Sequence, residues 1–201
     1  MDDIMSWDNQ IAHISRKINF TLYRLRLFRP LTDLSLRKHL ISSLIFPLFD
    51  YCCALLCDIK EGHCDKLQLL LNSCVRYTIG LRKFDNVTVH RKSLGWLSAK
   101  NRRLYLSATL LYNVFKHETP GYLHSFFTSR TPLSTLRNKN PSFVIPFTRN
   151  VMLDTSFHSK MFHFWNSLPP HILNCNSLNS FKLLLFNWLK QSENSTIPSK
   201  L

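Results

Sequence analysis

Apolar residues recur every three or four positions along most of this chain, the spacing of one face of an α-helix. The first such stripe comprises Ile11, Ile14, Ile18, Leu22 and Leu25. It predicts an amphipathic helix over residues 8–28, with Asp8 as its N-cap and Pro30 as its end. The basic residues of this helix lie largely off the stripe, where we expect them to be solvated.

A second helix should begin near Asp33 or Ser35, since either side chain can cap it. Its expected inward residues are Leu36, Leu40, Ile41, Leu44 and Ile45. The apolar stretch that follows, LISSLIFPLFDYCCALLC over residues 40–57, contains Pro47 and Asp50. A charge at the centre of a bilayer costs on the order of a few kcal/mol. We therefore expect two short buried segments broken at Pro47, and no membrane span.

Helical spacing continues through the rest of the chain, which is predicted to be mostly α. The later helices are expected over 64–80, 99–117, 157–165 and 180–190. The first of these follows the helical pattern through Leu67, Leu71, Cys74 and Thr78. Gly80 and Ser98 supply a C-cap and an N-cap. The last helix is expected to bury Phe181, Leu184, Leu185 and Trp188. Segments without helical period are expected to be a basic connector over 81–97 and a loop or short hairpin over 128–150 with a strand core at 143–145. The hairpin is placed near 142–154, and a frayed polar tail is expected over 191–201.

The charge of the chain is strongly positive and uneven. Lys and Arg number 26 against 12 Asp and Glu, for a net charge of +14. The span from Arg76 to Arg149 alone holds 13 basic residues and two acidic ones, Asp85 and Glu118. A field of one sign favours a polyanion such as nucleic acid, because each neutralised phosphate releases condensed counterions. The alternative is a basic surface with no specific partner.

Candidate chemistry along the chain is sparse. Cys53 and Cys57 stand four apart, with His63, Cys64 and Cys74 downstream, but zinc sites normally have turn residues inside each pair of ligands. Here the intervening residues are apolar, so we expect buried thiols and no metal. No cluster of carboxylates suits two-metal chemistry, and no Ser or Cys stands at a recognisable spacing from a base. No catalytic residue is predicted.

Aromatic residues fall into two groups. Trp96, Trp165 and Trp188 lie within apolar patterns, so they should pack in the core. Tyr77 and Phe84 alternate with basic residues and are the better candidates for stacking on bases, although burial of Tyr77 is at least as compatible with its position. The N-terminus MDDIMSWDNQ has neither a basic region nor an apolar run, so no signal peptide is expected. We therefore expect a nuclear or cytoplasmic protein with reduced cysteines.

Several segments, in order, resemble the reverse transcriptases of non-LTR (LINE-type) retrotransposons of the Jockey and CR1 kind. They are MSWDNQIAHISRKI, LYRLRLFRPLTDLSLRKHLISSLIFPLFDYC, KLQLLLNSCVRYTIGL, LGWLSAKNRRLYLSATLLYNVFKHETPGYL, and FWNSLPPHI followed by SLNSFKLLLFNWL. The resemblance covers about residues 5–190. It implies a region just after the polymerase palm, so the catalytic Asp residues and the Mg ions that they hold would belong to a palm upstream of this chain. No cofactor is expected in the chain itself.

The resemblance further implies a helical thumb-like bundle over residues 1–60, a basic helical region over 61–190 with a possible short hairpin, and a polar tail over 191–201. In this interpretation the partner is an RNA template or an RNA–DNA duplex, together with the upstream palm. The residues expected to contact phosphates are Arg16, Lys17, Arg24, Arg26, Arg76, Arg82, Lys83, Arg91, Lys92, Lys100, Arg102, Arg103, Arg137, Lys139 and Arg149. The alternatives are a non-enzymatic helical protein that binds other proteins and a transposon relic without function.

Overall fold

The structure, a computed structural model, describes residues 7–125, 129–130, 142–143 and 156–195. This part of the chain is mostly α, as predicted. The helices are α1 (Asp8–Leu27), α2 (Leu34–Leu40), α3 (Phe46–Asp50), α4 (Glu61–Ile79), α5 (Val87–Ser93), α6 (Ala99–His117), α7 (Gly121–His124), α8 (Phe157–Asn166), α9 (Pro170–Leu173) and α10 (Leu178–Ser195). Short 3-10 segments lie at Arg29–Leu31 and Cys53–Asp58, and a π-helical turn at Ile41–Ile45 joins α2 to α3.

The chain divides into two compact units at a point inside α6, after Arg103. The first unit therefore contains α1 to α5 and the first turn of α6, and the second contains the rest. The boundary predicted near residue 60 separates regions by resemblance and charge, and it stays a prediction.

The core of the first unit is built on α1 and α4. The predicted stripe of α1 is buried at Ile11, Ile14, Ile18 and Leu22. On α4 the predicted Leu67, Leu71, Cys74 and Thr78 are all buried. The expected cap of α1 was wrong, because Trp7 occupies the N-cap position and Asp8 lies in the first turn. The Asp8 carboxylate instead lies 2.9 Å from Nε2 of the buried His63 on α4.

The stretch around Pro47 is partly buried, but the residues that face the core are not all the ones predicted. Ile41 and Ile45 are fully buried, whereas Leu36 and Leu44 are exposed and were wrongly expected to face inward. Pro47 has no N–H to donate to the preceding turn, and its ring crowds the carbonyl four residues earlier, so the helix widens into a π turn. The wider turn rotates the faces that follow it. No helix among the described residues has the length and apolar character needed to span a membrane.

Helix α5 occupies the segment expected to be a connector. Its N-cap is Asn86, whose side-chain oxygen accepts a hydrogen bond from the Thr88 backbone N–H at 3.0 Å. Val87 and Arg91, four apart, are its buried residues. The segment Val87-Thr88-Val89 is rich in β-branched residues with low helix propensity, which is why the helix was missed. The cap and the tertiary contacts of one face offset that propensity.

The core of the second unit is largely aromatic. Trp165 and Phe181 stack at 5.8 Å between ring centroids, and Phe143 stacks on Phe162 at 4.5 Å. In α10, Phe181, Leu185 and Leu189 are buried. Leu184 and Trp188 were expected there but are only half-buried, and α10 continues to Ser195 although fraying was expected from residue 191.

Two short strands, β1 (Ser129–Arg130) and β2 (Ser142–Phe143), pair antiparallel, with Ser129 opposite Phe143. The side-chain amide of Asn166 continues this pairing: it accepts from the Phe143 N–H and donates to the Phe143 carbonyl, each at 3.0 Å. The strand core was predicted at 143–145 with a hairpin over 142–154. Phe143 does lie in a strand, its partner precedes it in the chain, and residues 144–155 lie outside the described residues.

Candidate nucleic-acid interface

Three arginines come together where α1 and α4 end. Arg26 belongs to the last turn of α1, Arg29 follows that helix, and Arg76 belongs to the last turn of α4. Together with Tyr77, Gly80 and Leu81 they line an open cavity of about 370 Å³. We refer to Arg26, Arg29 and Arg76 as the arginine cluster. Two of its members, Arg26 and Arg76, were predicted to bind phosphate.

Gly80 makes the position of Arg29 possible. It ends α4 with a φ of 91°, in the left-handed region, and its N–H and that of Leu81 both donate to the Arg76 carbonyl. The site that a Cβ at residue 80 would occupy is taken by Nη2 of Arg29. The Arg29 Nε also donates to the Tyr77 carbonyl at 3.1 Å. Glycine at residue 80 therefore serves both the backbone turn and the seating of Arg29.

Arg76 organises the loop after α4. Its Nη2 donates to the Lys83 carbonyl at 2.8 Å and to the Asp85 carbonyl at 3.4 Å. The Asp85 carboxylate in turn accepts from the Arg82 N–H at 2.6 Å. These contacts hold the loop close to the cluster. Its side chains Arg82, Lys83 and Phe84 are exposed.

The cluster carries uncompensated positive charge. Within the residues that the structure describes, none of its three guanidiniums has an Asp or Glu oxygen within 4.0 Å. A guanidinium carries about five N–H donors, so the bonds that Arg29 and Arg76 make to backbone carbonyls leave several unused. Arginine's planar fork matches the geometry of a phosphate group. The cluster therefore has the charge and the donors to bind an anionic oxygen group.

The loop adds an aromatic surface beside these cations. Phe84 is 92% exposed, and the Lys83 Nζ lies 5.7 Å from its ring centroid. Of the two predicted stacking residues, only Phe84 is accessible. Tyr77 is 3% exposed, and its hydroxyl has no hydrogen-bond partner among the described residues. Trp96 and Trp165 are buried in the cores of their units, as predicted.

The predicted cations of α1 do not form one face. Arg24 and Arg26 are two positions apart, which separates their directions by about 200° around the helix axis. Arg26 lines the cavity of the arginine cluster, whereas Lys17 and Arg24 line a different, apolar groove. Arg16 is exposed on the same helix. The sequence interpretation grouped these four residues, and the structure separates them.

Three other predicted phosphate ligands are engaged inside the first unit. Arg91 is buried and its Nη1 donates to the Trp96 carbonyl at 2.8 Å, so its assignment to a nucleic-acid surface was wrong. Arg102 pairs with Asp50, the one charge in the apolar stretch 40–57. Arg103 is half-buried, and its Nη2 lies 3.1 Å from the Cys64 Sγ. A sequence-based charge count includes such arginines although their side chains serve the fold.

The remaining predicted ligands are Lys92 and Lys100 in the first unit and three residues later in the chain. Lys100 is exposed and Lys92 is half-buried, and neither lines the cavity of the arginine cluster. Arg137, Lys139 and Arg149 lie outside the described residues. Their role stays a prediction.

Asp50 and Arg102 form a two-point ion pair over an aromatic ring. The Arg102 Nε and Nη2 donate to the two Asp50 oxygens at 2.6 and 2.5 Å, and the guanidinium carbon lies 4.0 Å from the Phe46 ring centroid. About a quarter of each side chain is exposed to solvent, 25% for Arg102 and 28% for Asp50. The pair therefore anchors the start of α6 to the end of α3.

We expect Asp50→Ala to lower the free energy of unfolding in urea by about 1 kcal/mol, because a half-buried guanidinium loses its charged partner. In an Arg102→Met background the same change should cost less, which a double-mutant cycle measures. Asp65→Ala, at an exposed position on α4, serves as the control and should change stability by less than about 0.5 kcal/mol. Equal costs in the two backgrounds would contradict an energetic coupling between Asp50 and Arg102.

The segment considered for zinc has a different geometry from the one expected. Cys53 and Cys57, four apart in the sequence, lie on a 3-10 segment, so the spacing does not place them on one face of an α-helix. Cys53 and Cys74 are buried. Among the described residues, no group of three or more His, Cys, Asp or Glu side chains is arranged to hold a metal ion.

Arg29 is the member of the cluster that the sequence interpretation missed. It lies in the short segment Arg29–Leu31, outside both helical stripes and outside the basic span that begins at Arg76. Arg29 and Gly80 are 51 positions apart in the sequence, and no local pattern predicts a contact over such a distance.

Comparisons of the chain with protein-family models, curated proteins and solved structures found no match.

Proposed function

We propose that this chain is part of a retrotransposon RNA-directed DNA polymerase, the region that follows the palm, and that its first unit binds the phosphate backbone of the RNA template–primer duplex. Two independent features support the proposal. The ordered motifs over residues 5–190 resemble that region of LINE-type reverse transcriptases. The arginine cluster provides three guanidiniums around an open cavity, and none of them has an acidic partner within the described part of the chain. The cluster is the observation that carries the proposal.

In this proposal the role of the chain is binding and positioning. The cluster and the neighbouring Arg82 and Lys83 contact successive phosphates through charge-assisted hydrogen bonds. Phe84, exposed at the edge of the same loop, stacks on an unpaired base where the duplex ends. Backbone contacts of this kind hold a duplex in place without reading its sequence. Nucleotide transfer would take place on an upstream palm.

The test is the salt dependence of binding to a fluorescent RNA–DNA hybrid, measured by anisotropy with the full chain. About five phosphate contacts predict a slope of log affinity against log salt near −4 to −5. The variant Arg26→Gln with Lys83→Gln should reduce the magnitude of that slope by about 2 and weaken binding by about tenfold or more. Both side chains lie outside the hydrogen bonds that organise the loop through Arg29 and Arg76.

The matched control is Lys17→Gln with Arg24→Gln, which removes the same charge from the first unit. These two residues lie on the other flank of α1, so this variant should keep nearly all of the affinity and the salt slope. Salt-independent binding would contradict the proposed function. An equal loss of affinity in the two double variants would contradict the cluster as its site, because net charge alone would then explain the binding.

A second candidate function, a non-enzymatic helical protein that binds other proteins, is favoured by one observation. Exposed apolar side chains of α1 and of the segment around Pro47 form a groove. Weak, non-saturable binding to the hybrid together with saturable binding of a protein partner at this groove would favour that function over the first.

A further inference from the structure

An apolar groove lies on the flank of α1 that faces away from the arginine cluster. Its volume is about 480 Å³. One side is lined by residues of α1 and its C-cap, namely Lys17, Phe20, Thr21, Arg24, Leu25 and Phe28, and the other side by Leu44 and Leu48. The α1 residues recur at helical spacing and extend for about 16 Å along the helix axis. The groove therefore offers a row of apolar positions about three helical turns long.

Apart from Lys17 and Arg24 at its edge, the residues that line the groove offer almost no hydrogen-bonding capacity. Among the described residues that line it, Thr21 is the one with an uncharged polar side chain, and its hydroxyl donates to the Lys17 carbonyl at 2.9 Å within the helix. Phe20 and Phe28 are 62% and 59% exposed, and Leu44 is 48% exposed. Bases would bring polar edges against the apolar residues of this groove, where the described lining offers them no partner other than the two cations at the edge. Apolar side chains of another protein match it better.

The π turn creates the second wall of the groove. Leu44 lies within the turn Ile41–Ile45, and its neighbours Ile41 and Ile45 point into the core. Within this wider turn Leu44 is directed outward while Ile41 and Ile45 are buried, and Leu48, half-buried, continues the wall one turn later. The groove is thus a consequence of the same irregularity that overturned the predicted inward face of this segment.

Two cations mark the edge of the groove. Lys17 and Arg24 are seven positions apart, about 10 Å along α1. Neither has an acidic partner within 4.0 Å among the described residues. The Arg24 guanidinium lies 5.8 Å from the Phe20 ring centroid. A helix with two carboxylates on one margin, also two turns apart, would place each of them near one of these cations.

We propose that this groove binds an amphipathic helix of a protein partner, one with apolar residues at positions i, i+3 or i+4, and i+7 and with Asp or Glu two turns apart beside them. The apolar face of such a helix covers the row from Phe20 to Phe28, as in other complexes in which a helix lies in a groove. The two carboxylates pair with Lys17 and Arg24 and fix the direction of the helix. The inference is independent of nucleic-acid binding.

The probe is a labelled amphipathic peptide of about 16 residues, with Leu at the spacing above and two Glu seven residues apart. Its matched partner carries Lys at the two Glu positions. Anisotropy with the full chain should show saturable binding of the Glu peptide and affinity at least about tenfold weaker for the Lys peptide. The chain variant Lys17→Glu with Arg24→Glu should reverse this preference. Such a reversal cannot arise from unfolding, which would abolish both affinities.

A second variant tests the apolar part of the groove. Leu44→Asp changes an exposed position, so the fold should persist, and it should weaken binding of the Glu peptide by about tenfold or more. Three results would overturn the proposal: equal affinity of both peptides for the parent chain, self-association of the chain that Leu44→Asp abolishes, or binding to vesicles of phosphatidylcholine and phosphatidylserine that Leu44→Asp abolishes. The second result assigns the groove to another copy of the chain and the third to a lipid surface.

The two proposals can fail separately. The Arg26→Gln, Lys83→Gln variant should bind the Glu peptide with the affinity of the parent, because those residues lie outside the groove. An RNA–DNA hybrid should likewise leave peptide binding unchanged when both are present. Competition between hybrid and peptide would overturn the assignment of the groove to a protein helix.

Discussion

Replacing Cys74 with alanine is expected to make the protein lose less stability than the parent as the pH rises above 9. Cys74 lies on α4 in the core of the first unit and is fully buried. Burial raises the pKa of its thiol from 9.0 to about 12, and the positive charge of Arg26 and a backbone hydrogen bond oppose that rise only in part. The unfolded chain exposes the same thiol to water, where its pKa is ordinary.

The sign of the effect follows from proton binding. Between pH 9 and about pH 12 the unfolded chain loses the thiol proton while the native protein keeps it. The native state then binds more protons than the unfolded state, so the free energy of unfolding falls as the pH rises. The contribution of Cys74 is complete below pH 9 and declines above it by roughly 1 kcal/mol per pH unit, or a few kcal/mol over the whole window.

The measurement is urea unfolding at several pH values between about 8 and 11, for the parent and the variants. Cys74→Ala and the larger Cys74→Val should share a shallower decline, although their stabilities at pH 8 will differ through packing. Cys52→Ala, which removes an exposed thiol, serves as the control and should keep the slope of the parent. Parallel pH profiles for the parent and both Cys74 variants would contradict a thiol held neutral by burial.

Substitution of Gly80 by alanine is expected to destabilise the protein by about 2 kcal/mol. About half of this cost comes from placing a Cβ on a backbone with φ of 91°, in the left-handed region. The other half comes from Arg29, because the new Cβ would occupy the position of its Nη2. The guanidinium of Arg29 must then shift, and we expect its Nε to lose the hydrogen bond to the Tyr77 carbonyl.

Gly95 provides a matched control for the backbone part of this cost. It has a φ of 73°, and no atom of the residues that the structure describes lies within 4 Å of the place where its Cβ would be. Gly95→Ala should therefore cost about 1 kcal/mol. In an Arg29→Ala background, the stability lost through Gly80→Ala should fall to the same value of about 1 kcal/mol. If Gly80→Ala is as destabilising without Arg29 as with it, Arg29 does not depend on the glycine, and the cluster is not built as described.

The position of the arginine cluster also has an electrostatic cause within the fold. Carbonyl groups at the end of α4 carry partial negative charge, and Arg29 lies against one of them at Tyr77. Arg76 bonds the carbonyls of the loop beyond. The fold thus brings the three guanidiniums together with backbone carbonyls alone among their described partners. Their positive charge remains available to an anion, on which the proposed function depends.

Much of the architecture could be predicted from the chain alone, because helical period and caps are local properties. The stripes of α1 and α4 are buried as predicted, the Asp33 side chain accepts a hydrogen bond from the Leu36 N–H, and Gly80 ends α4. These features depend on residues within about one or two turns of each other. Helix α5 was missed for the same reason, since its β-branched start gives a weak local signal and its buried face is set by distant neighbours.

Of the candidate site, the sequence could predict only that it would be rich in lysine and arginine. A count of lysines and arginines predicts the sign of the field, but the same residue type is exposed at Arg82, buried at Arg91 and paired with a carboxylate at Arg102. Which of these occurs depends on groups up to 52 positions away in the chain, as for Arg102 and Asp50. The mostly helical character and the positive charge were therefore in the sequence. The meeting of Arg26, Arg29 and Arg76, and the apolar groove on the opposite flank of α1, come from tertiary packing, because only folding brings distant side chains within hydrogen-bonding range.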